Sequence, residues 1–232
     1  MSTSGSTNYS LTTNDIIAEA YDICGVGSEG EAISADQYAR ARRSLNLMVK
    51  GWGASDHLWL RTEASVTMVA SQANYALATL FSVKPARVLE VRRRVTSGST
   101  DTPLTEWSRD EYFGQPNKTT DSIPVAFYYD PQLLTGTLYV WPRPSTATAT
   151  DMTLRVTYLR RIEDFDGSTD DPDLPQEWLE ALSYGLADRL AIKYLSDPIR
   201  RREIAERAGA YKARLEAWDT EPASLFLQPC SS

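Results

Sequence analysis

The chain is organised around residues 34–59, SADQYARARRSLNLMVKGWGASDHLW. Ser34, followed three residues later by Gln37, forms a capping box, which predicts that a helix begins there. The apolar residues that follow recur at helical spacing and fall within about 100° of one another, the width of a core-facing stripe. They are Tyr38, Ala41, Leu45, Met48, Val49 and Trp52. We therefore expect an amphipathic helix over 34–52 whose apolar stripe belongs to the core.

The outer face of this predicted helix carries Arg40, Arg43, Leu47 and Lys50, and no acidic residue lies in 38–54. Because cations on a helix usually pair with carboxylates three or four residues away, the partners of this basic face are expected elsewhere, including on another subunit. The alternative is a face exposed to solvent, since exposed charges need no partner. The hypothesis is a subunit interface that includes these four residues.

Three further helices are expected near the two ends of the chain. The first, 13–24, opens with the capping box formed by Thr12 and Asp15. The other two, 175–195 and 198–218, each have a proline at their start, where the missing N–H has no cost.

The last predicted helix has two contrasting faces. Its expected core stripe consists of Ile204, Ala208, Tyr211, Leu215 and Trp218. The opposite face holds Ala210, Ala213 and Ala217 beside Gly209. Small residues allow another helix to come close, so these alanines are a second candidate subunit interface. The alternative is that they were selected for helix propensity alone.

The pattern changes to period two in the middle of the chain, which predicts strands. The clearest are 88–95, 125–129, 137–141 and 152–159. With a short edge strand they make a small antiparallel sheet of about five strands between two helical ends. The fold class is therefore α+β, a helical bundle from the N- and C-terminal helices with an inserted antiparallel β-sheet domain and an extended C-terminal tail.

The predicted domain organisation has five parts. They are a flexible arm, 1–11; a helical bundle, 12–62 with 174–218; a β-rich insertion, 63–162; an acidic linker, 163–173; and an extended docking tail, 219–232. The tail contains the apolar triplet Leu225, Phe226 and Leu227. An exposed triplet of this kind is expected to dock in a groove of a partner or of a neighbouring copy.

Composition excludes several classes of protein. The chain has 232 residues with 42% apolar content, ordinary for a globular protein, and a net charge of -7, which argues against coating nucleic acid by bulk charge. No apolar run approaches the roughly 18 residues of a membrane span, and the first residues lack the features of a signal peptide. We expect a protein made in the cytoplasm. Cys24 and Cys230 make neither a disulfide framework nor a metal framework.

No catalytic pattern stands out. The one histidine, His57, follows Asp56, but there is no nucleophile context to complete a triad. The acidic segment 163–173 does not have the spacing of a calcium loop. We therefore expect no catalytic residue, no metal and no cofactor, and a binding or structural protein rather than an enzyme. Two alternatives stay open: a cell-wall glycan hydrolase, which requires two carboxylates across a cleft, and a DNA-binding packaging factor, which requires a contiguous arginine surface.

Four blocks of sequence, in this order, carry a resemblance to a known family. They are RRSLNLMVKGW (42–52), PARVLEVRR (85–93), TLYVWP (137–142) and PQEWLEAL (175–182). Together they resemble the head-to-tail adaptor proteins of tailed bacteriophages, and most of all the packaged-DNA stabilisation or tail accessory factors of short-tailed phages. The similarity extends over roughly residues 10 to 218.

The resemblance implies a structural virion protein at the portal vertex, assembled in the host cytoplasm. Such a protein forms a ring, usually of twelve copies, beneath the portal protein, extends the DNA channel, helps to retain packaged DNA and docks tail or nozzle components. DNA is expected to pass through the ring without sequence-specific binding. The family has no catalytic set and no cofactor to carry over to this chain.

Overall fold

The structure, a computed structural model, describes residues 3–26, 32–98 and 100–219. The chain divides into two compact units. The helical unit comprises Met1–Trp59 with Ile162–Ser232, and the β unit comprises Leu60–Arg161. The β unit is thus a continuous insertion between two segments that pack with each other.

The described residues contain seven α-helices and ten β-strands. The helices are α1 Thr13–Cys24, α2 Ala35–Trp52, α3 Leu77–Leu80, α4 Arg109–Gly114, α5 Thr146–Asp151, α6 Leu179–Tyr194 and α7 Pro198–Trp218. The strands are β1 Arg61–Thr67, β2 Asn74–Ala76, β3 Arg87–Val95, β4 Asp101–Pro103, β5 Thr105–Glu106, β6 Asp121–Ser122, β7 Ala126–Asp130, β8 Thr137–Trp141, β9 Arg143–Pro144 and β10 Met152–Leu159. The α+β class expected from the sequence is confirmed.

Both predicted capping boxes are present. At the start of α1, the Thr12 side chain accepts from the Asp15 N–H and the Asp15 carboxylate accepts from the Thr12 N–H. Ser34 and Gln37 do the same at the start of α2. Two orphan amides are satisfied in each case, which sets where each helix begins. Helix α6 starts later than predicted, because a short 3-10 turn, Gln176–Trp178, precedes it.

Helix α6 is the centre of the helical unit. It packs against α1, α2 and α7. Its buried side chains cover most of its circumference, and they are Leu179, Ala181, Leu182, Ser183, Leu186, Ala187, Leu190 and Ala191. The helix is therefore buried on more than one side over these positions. Near its C-terminal end, Ile192 faces outward and is 70% exposed.

Gly185 allows α2 and α6 to approach closely. A Cβ added at this position would lie 2.8 Å from Met48 Sδ and 3.2 Å from a ring carbon of Trp52. The predicted stripe of α2 faces this contact, with Leu45, Met48 and Val49 buried. A glycine is needed here because any side chain would occupy the space that the thioether and the indole fill.

The acidic segment 163–173 is bound to the helical unit along its length. Phe165 is buried, and its backbone N–H and C=O both bond to the Asn46 side chain, at 2.9 and 3.0 Å. The Asp170 carbonyl accepts from the Thr13 N–H at 2.9 Å, and its carboxylate accepts from the Gly167 N–H. The segment thus closes over α1 and α2.

The strands of the β unit form three sheets, where the sequence indicated one. The first is antiparallel throughout, in the order β1-β10-β3-β4. The second has the order β2-β8-β7-β5 and includes a parallel pairing of β5 with β7. Strands β6 and β9 make a separate parallel pair. Strand pairing joins residues far apart in sequence, so period-two patterns identify strands without identifying their neighbours.

The two larger sheets share one hydrophobic core. Its residues alternate along the strands, as expected for sheets with one buried face. They are Val66, Met68, Tyr75, Leu77, Val88, Val91, Leu104, Phe127, Leu138, Val140, Leu154 and Val156. Among the helices of the described residues, none combines the length and apolar character needed to cross a membrane.

The contact at Gly185 leads to a prediction on stability. Replacing Gly185 by Val should destabilise the helical unit by about 1–3 kcal/mol, because the new methyl groups overlap Met48 and Trp52. The measurement is chemical unfolding followed by far-ultraviolet circular dichroism.

The matched control for this variant is Gly51→Ala. Gly51 lies near the end of α2, and an added Cβ there meets nothing within 4 Å. This control should be neutral or stabilising by up to about 1 kcal/mol, since alanine favours the helix. Equal effects of the two substitutions would contradict the close packing of α2 on α6.

Candidate interaction surfaces

The outer face of α2 is partly neutralised by the chain itself. Arg40 forms an ion pair with Asp36, one turn earlier, at 2.6 Å. Lys50 pairs with Asp164 of the acidic segment at 2.7 Å and donates to the Ile162 carbonyl at 2.5 Å. We expected the partners of these cations to lie outside the helix. Lys50 agrees with this expectation, since Asp164 belongs to another segment of the same chain. For Arg40 the expectation is wrong, because Asp36 lies in α2 itself, just before residues 38–54.

Arg43 and Leu47 are the residues of this face that stay open. Both are exposed, and Leu47 has 69% of its surface accessible. Arg43 makes no ion pair with any residue of the described ranges. Arginine is enriched at protein interfaces, so Arg43 and Leu47 stay a candidate contact patch.

Among the described residues, helix α7 packs mainly on α6. Across its 21 residues, Ile204 is the one that is buried. Its inner face meets α6 through the rings of Tyr211 and Tyr184, 5.0 Å apart, and through Arg207, which donates to the Tyr184 hydroxyl at 3.4 Å.

The small-residue face of α7 lies on the outer side. Ala210, Ala213 and Ala217 are exposed, and a Cβ added at Gly209 would meet nothing within 4 Å. At the N-terminal end of the same helix, Ile199 is 69% exposed. Small side chains allow a second helix to pack at short distance, so this face keeps its place as a candidate subunit interface.

Trp218 corrects the predicted core stripe of α7. The sequence placed it in the core, and the structure leaves it 69% exposed. Helical spacing gives only the direction of a side chain, whereas burial also requires a neighbouring element at the same height along the axis. Helix α7 has 21 residues and α6 has 16, so α6 is too short to cover the whole length of α7.

The end of α7 is fixed by a buried contact between His57 and Asp219. His57 Nδ1 lies 3.1 Å from Asp219 Oδ2, and the two side chains are only 3% and 7% exposed. The Leu58 N–H donates to both carboxylate oxygens at 3.2 Å. We call this contact the His57–Asp219 latch. It holds the residue after α7 against the turn that follows α2.

Aromatic rings surround the latch. The His57 imidazole stacks on Trp59, with centroids 5.7 Å apart, and meets the Trp178 ring edge-on at 5.0 Å. Trp52 also packs against Trp178, at 5.7 Å. In the described part of the chain, His57 Nε2 has no hydrogen-bond partner. The imidazole is thus enclosed by indoles and one carboxylate, which is a structural environment.

Sequence reasoning missed Asp219. It named Asp56 as the neighbour of His57 and assigned residue 219 to the docking tail. Little in the sequence indicated this contact, because an aspartate just after the end of a helix belongs to no recognised local motif. The predicted docking residues Leu225, Phe226 and Leu227 lie outside the described residues.

The arginine block of β3 is engaged inside the β unit. Arg94 makes two hydrogen bonds of 2.5 Å to the Asp101 carboxylate and holds the pKa of that carboxyl below its ordinary value. Arg92 pairs with Glu63, and Arg93 donates to the Pro124 carbonyl at 2.7 Å. These guanidinium groups are therefore committed to the fold, which argues against a phosphate-binding surface at this block.

An open cleft of about 400 Å³ lies beside α4. It is lined by Trp107, Asp110, Glu111, Gly114, Gln115 and Pro116. The Glu111 carboxylate accepts from the Ser108 N–H at 2.6 Å, and these hydrogen bonds hold its pKa below the ordinary value. A glycosidase acid needs the opposite shift, so Glu111 does not fit the role of a general acid. The described residues bring together no group of three or more His, Cys, Asp and Glu side chains that suits a metal.

Comparison with known proteins finds one family. A family model described as SU10 adaptor protein matches residues 12–224. A comparison with curated protein sequences finds no significant match. Among solved structures, a chain of "Neck of native GTA particle computed with C12 symmetry" matches with a TM-score of 0.29 and 13% identity, over 87% of this chain and 92% of that chain. A TM-score this low does not establish a shared fold.

The His57–Asp219 latch leads to a second prediction on stability. Replacing Asp219 by Asn removes the charge that two buried donors share, so the helical unit should lose about 1–3 kcal/mol. Urea unfolding followed by tryptophan fluorescence measures this loss. The control is Arg202→Ala, which breaks an ion pair whose side chains are 81% and 63% exposed and should cost less than about 0.5 kcal/mol. A loss for Asp219→Asn no larger than that of the control would show that the latch contributes little.

Proposed function

The chain belongs to the SU10 adaptor protein family, and from this premise we propose that it forms a ring, of twelve copies, under the portal of a tailed bacteriophage. In this role it extends the DNA channel, helps to retain packaged DNA and docks tail or nozzle components. It is assembled in the host cytoplasm and stays at the head–tail junction of the virion.

The observation that carries the proposal is the extent of the family match. Residues 12–224 include most of both segments of the helical unit and the whole β unit. An adaptor is the function that the family description states, and the resemblance of the four sequence blocks to head-to-tail adaptors agrees with it. From these two observations we infer a structural protein of the head–tail junction.

The ring is proposed to form through the exposed face of α7 and the outer face of α2. A ring of identical subunits needs two different patches that fit each other, one at each side of the subunit. The small-residue face of α7 (Ala210, Ala213 and Ala217) is suited to close helix contact, and Arg43 with Leu47 on α2 is a mixed polar and apolar patch. Arg40 and Lys50 lie at the rim of the second patch, already paired with Asp36 and Asp164.

Charge supports a channel through which DNA slides. The net charge is -7, and the arginines of β3 are bound to carboxylates or carbonyls of the same unit. A wall that holds few free cations releases few counterions on contact with DNA, so adhesion is weak. DNA is therefore proposed to pass without sequence-specific binding.

The C-terminal segment is proposed to dock on the portal protein or on a neighbouring copy. The latch places its origin at Asp219, and thirteen residues, 220–232, follow. Fully extended, they span about 43 Å, enough to leave the subunit that carries them. Leu225, Phe226 and Leu227 supply the apolar anchor for a groove.

The experiment that tests the proposed function is native mass spectrometry of the protein alone and mixed with portal protein. A ring, formed alone or on the portal, with twelve copies supports it. A protein that stays monomeric in both conditions would overturn it.

The α2 patch leads to a prediction on assembly. Reversing Arg40 and Arg43 to Glu should weaken ring formation, and Leu47→Asp should do so at least as strongly because it places a charge in an apolar contact. Ring formation at low salt is measured by native mass spectrometry or analytical ultracentrifugation.

The control for charge reversal is Arg87→Glu, an exposed arginine in the β unit. It changes the net charge in the same direction without touching α2, so it should leave the ring intact. Rings that form normally with both arginines reversed would remove α2 from the interface.

The tail leads to a separate prediction. Deleting 220–232 should weaken portal binding while the subunit stays folded, because the deletion keeps Asp219 and hence the latch. Deleting from residue 219 removes the latch as well and should also reduce stability. Portal affinity is measured by biolayer interferometry, and an unchanged affinity of the shorter deletion would contradict a docking role of the tail.

A further inference from the structure

Four exposed aliphatic side chains lie on two adjoining segments of the β unit. They are Leu80, Val83, Leu133 and Leu134, with 51%, 58%, 86% and 80% of their surface accessible. Leu133 and Leu134 lie in the loop that joins β7 to β8, and Leu80 and Val83 lie at the end of α3 and just after it. We call this group the aliphatic tip.

The two loops of the tip are tied together by backbone hydrogen bonds. The Leu77 N–H donates to the Gly136 carbonyl at 2.9 Å, and the Ala78 N–H donates to the Thr135 carbonyl at 3.0 Å. Lys84 Nζ adds a bond of 3.1 Å to the Pro131 carbonyl. The tip is thus one patch built from two segments, since each loop fixes the other.

The core does not require the side chains of the tip. Leu77 is fully buried, and Phe81 packs inward on Tyr158 with ring centroids 4.7 Å apart. These two residues anchor α3, and Leu80 and Val83 point the other way. The β7–β8 loop is shaped by Gly136, whose φ of +57° favours glycine and where a Cβ would lie 2.5 Å from the Tyr129 hydroxyl. The exposed leucines are therefore held outward by a frame that is complete without them.

A preformed apolar knob is suited to insertion in a pocket of another protein, because little conformational entropy remains to be lost on binding. Phosphate recognition is not a role for this patch, since it needs cations and Lys84 is already bound to a carbonyl. The tip also lies in the β unit, whereas the proposed ring and portal contacts use α2, α7 and the tail of the helical unit.

The size of the tip limits what covers it. The accessible surface of its four residues, added together, equals that of fewer than three fully exposed residues. A stable interface uses about 20 to 30 residues on each side. Two copies meeting tip to tip would not stay together. In a ring, by contrast, every subunit presents one tip, and a partner with a matching pocket in each of its own subunits binds all of them at once with much higher avidity.

We propose that the aliphatic tip is the anchor by which the adaptor ring holds an oligomeric tail-side protein, one that presents a pocket lined by apolar side chains to each tip. This inference rests on the proposed function, since it requires a ring between head and tail. The partner is defined by its chemistry, which is an apolar pocket repeated by symmetry.

The first experiment measures access to the tip at each stage of assembly. Leu133→Cys is introduced together with Cys230→Ser, and labelling by a maleimide reagent is followed by mass spectrometry. The remaining thiol, Cys24, is buried and has a pKa raised to about 11 by burial, so it stays unlabelled near neutral pH. The three samples are the isolated ring, DNA-filled heads that carry the adaptor, and complete tailed particles.

Rapid labelling in the ring and on heads, with at least about tenfold protection in tailed particles, is the result expected. Protection in the isolated ring would overturn the proposal in favour of a second copy or of the C-terminal tail of the chain. Protection on heads without tails would overturn it in favour of the portal, and full labelling in tailed particles would show that nothing covers the tip. Absence of a ring would instead contradict the proposed function.

The second experiment changes the chemistry of the tip. Leu133→Asp with Leu134→Asp should leave the ring and its attachment to heads unchanged and should lower the fraction of tailed particles, counted by electron microscopy, by at least about tenfold. Leu133→Met with Leu134→Met keeps the patch apolar and should retain tails. Ile123→Asp, a 42% exposed aliphatic residue just before the other end of β7, is the positional control and should also retain tails. Normal tailing of the double aspartate variant would overturn the proposal.

Discussion

The burial of α6 is the interaction on which the helical unit depends. Helix α6 lies in the second half of the chain, and two of the helices that surround it, α1 and α2, lie at the beginning. Packing them together closes a loop of more than one hundred residues, whose entropy cost grows only slowly with length. The absence of a side chain at Gly185 and the fit of Met48 and Trp52 around it make this closure possible. The β unit, Leu60–Arg161, is carried as an insertion within this loop.

Local signals in the sequence were sufficient for the starts of α1 and α2. The pairs Thr12 with Asp15 and Ser34 with Gln37 predicted where α1 and α2 begin, because a capping box is formed by residues three apart and needs no tertiary partner. The period-two pattern of 152–159 likewise predicted β10 within its observed bounds. The division of the strands into three sheets was not predictable in this way, because each pairing is decided by residues distant in the chain.

The candidate site was predictable in part, and the missing part is the one made by long-range contacts. The outer faces of α2 and α7 follow from helical spacing, and the structure leaves Leu47 and Ala213 exposed as such faces require. The partners of Lys50 and His57, by contrast, come from Asp164 and Asp219, more than one hundred residues away. The aliphatic tip was hidden for the same reason, since its two loops meet only in the folded β unit.

The His57–Asp219 latch has a mechanical consequence. A pull on the segment that follows residue 219 is received by the Asp219 carboxylate and its bonds to His57 and Leu58, and not by the last turn of α7 alone. The load then passes to Trp59 and Trp178, which pack on the imidazole. Indole fluorescence depends on the polarity and rigidity of such surroundings. The fluorescence of Trp59 and Trp178 should therefore report on tension that acts on the C-terminal segment through Asp219.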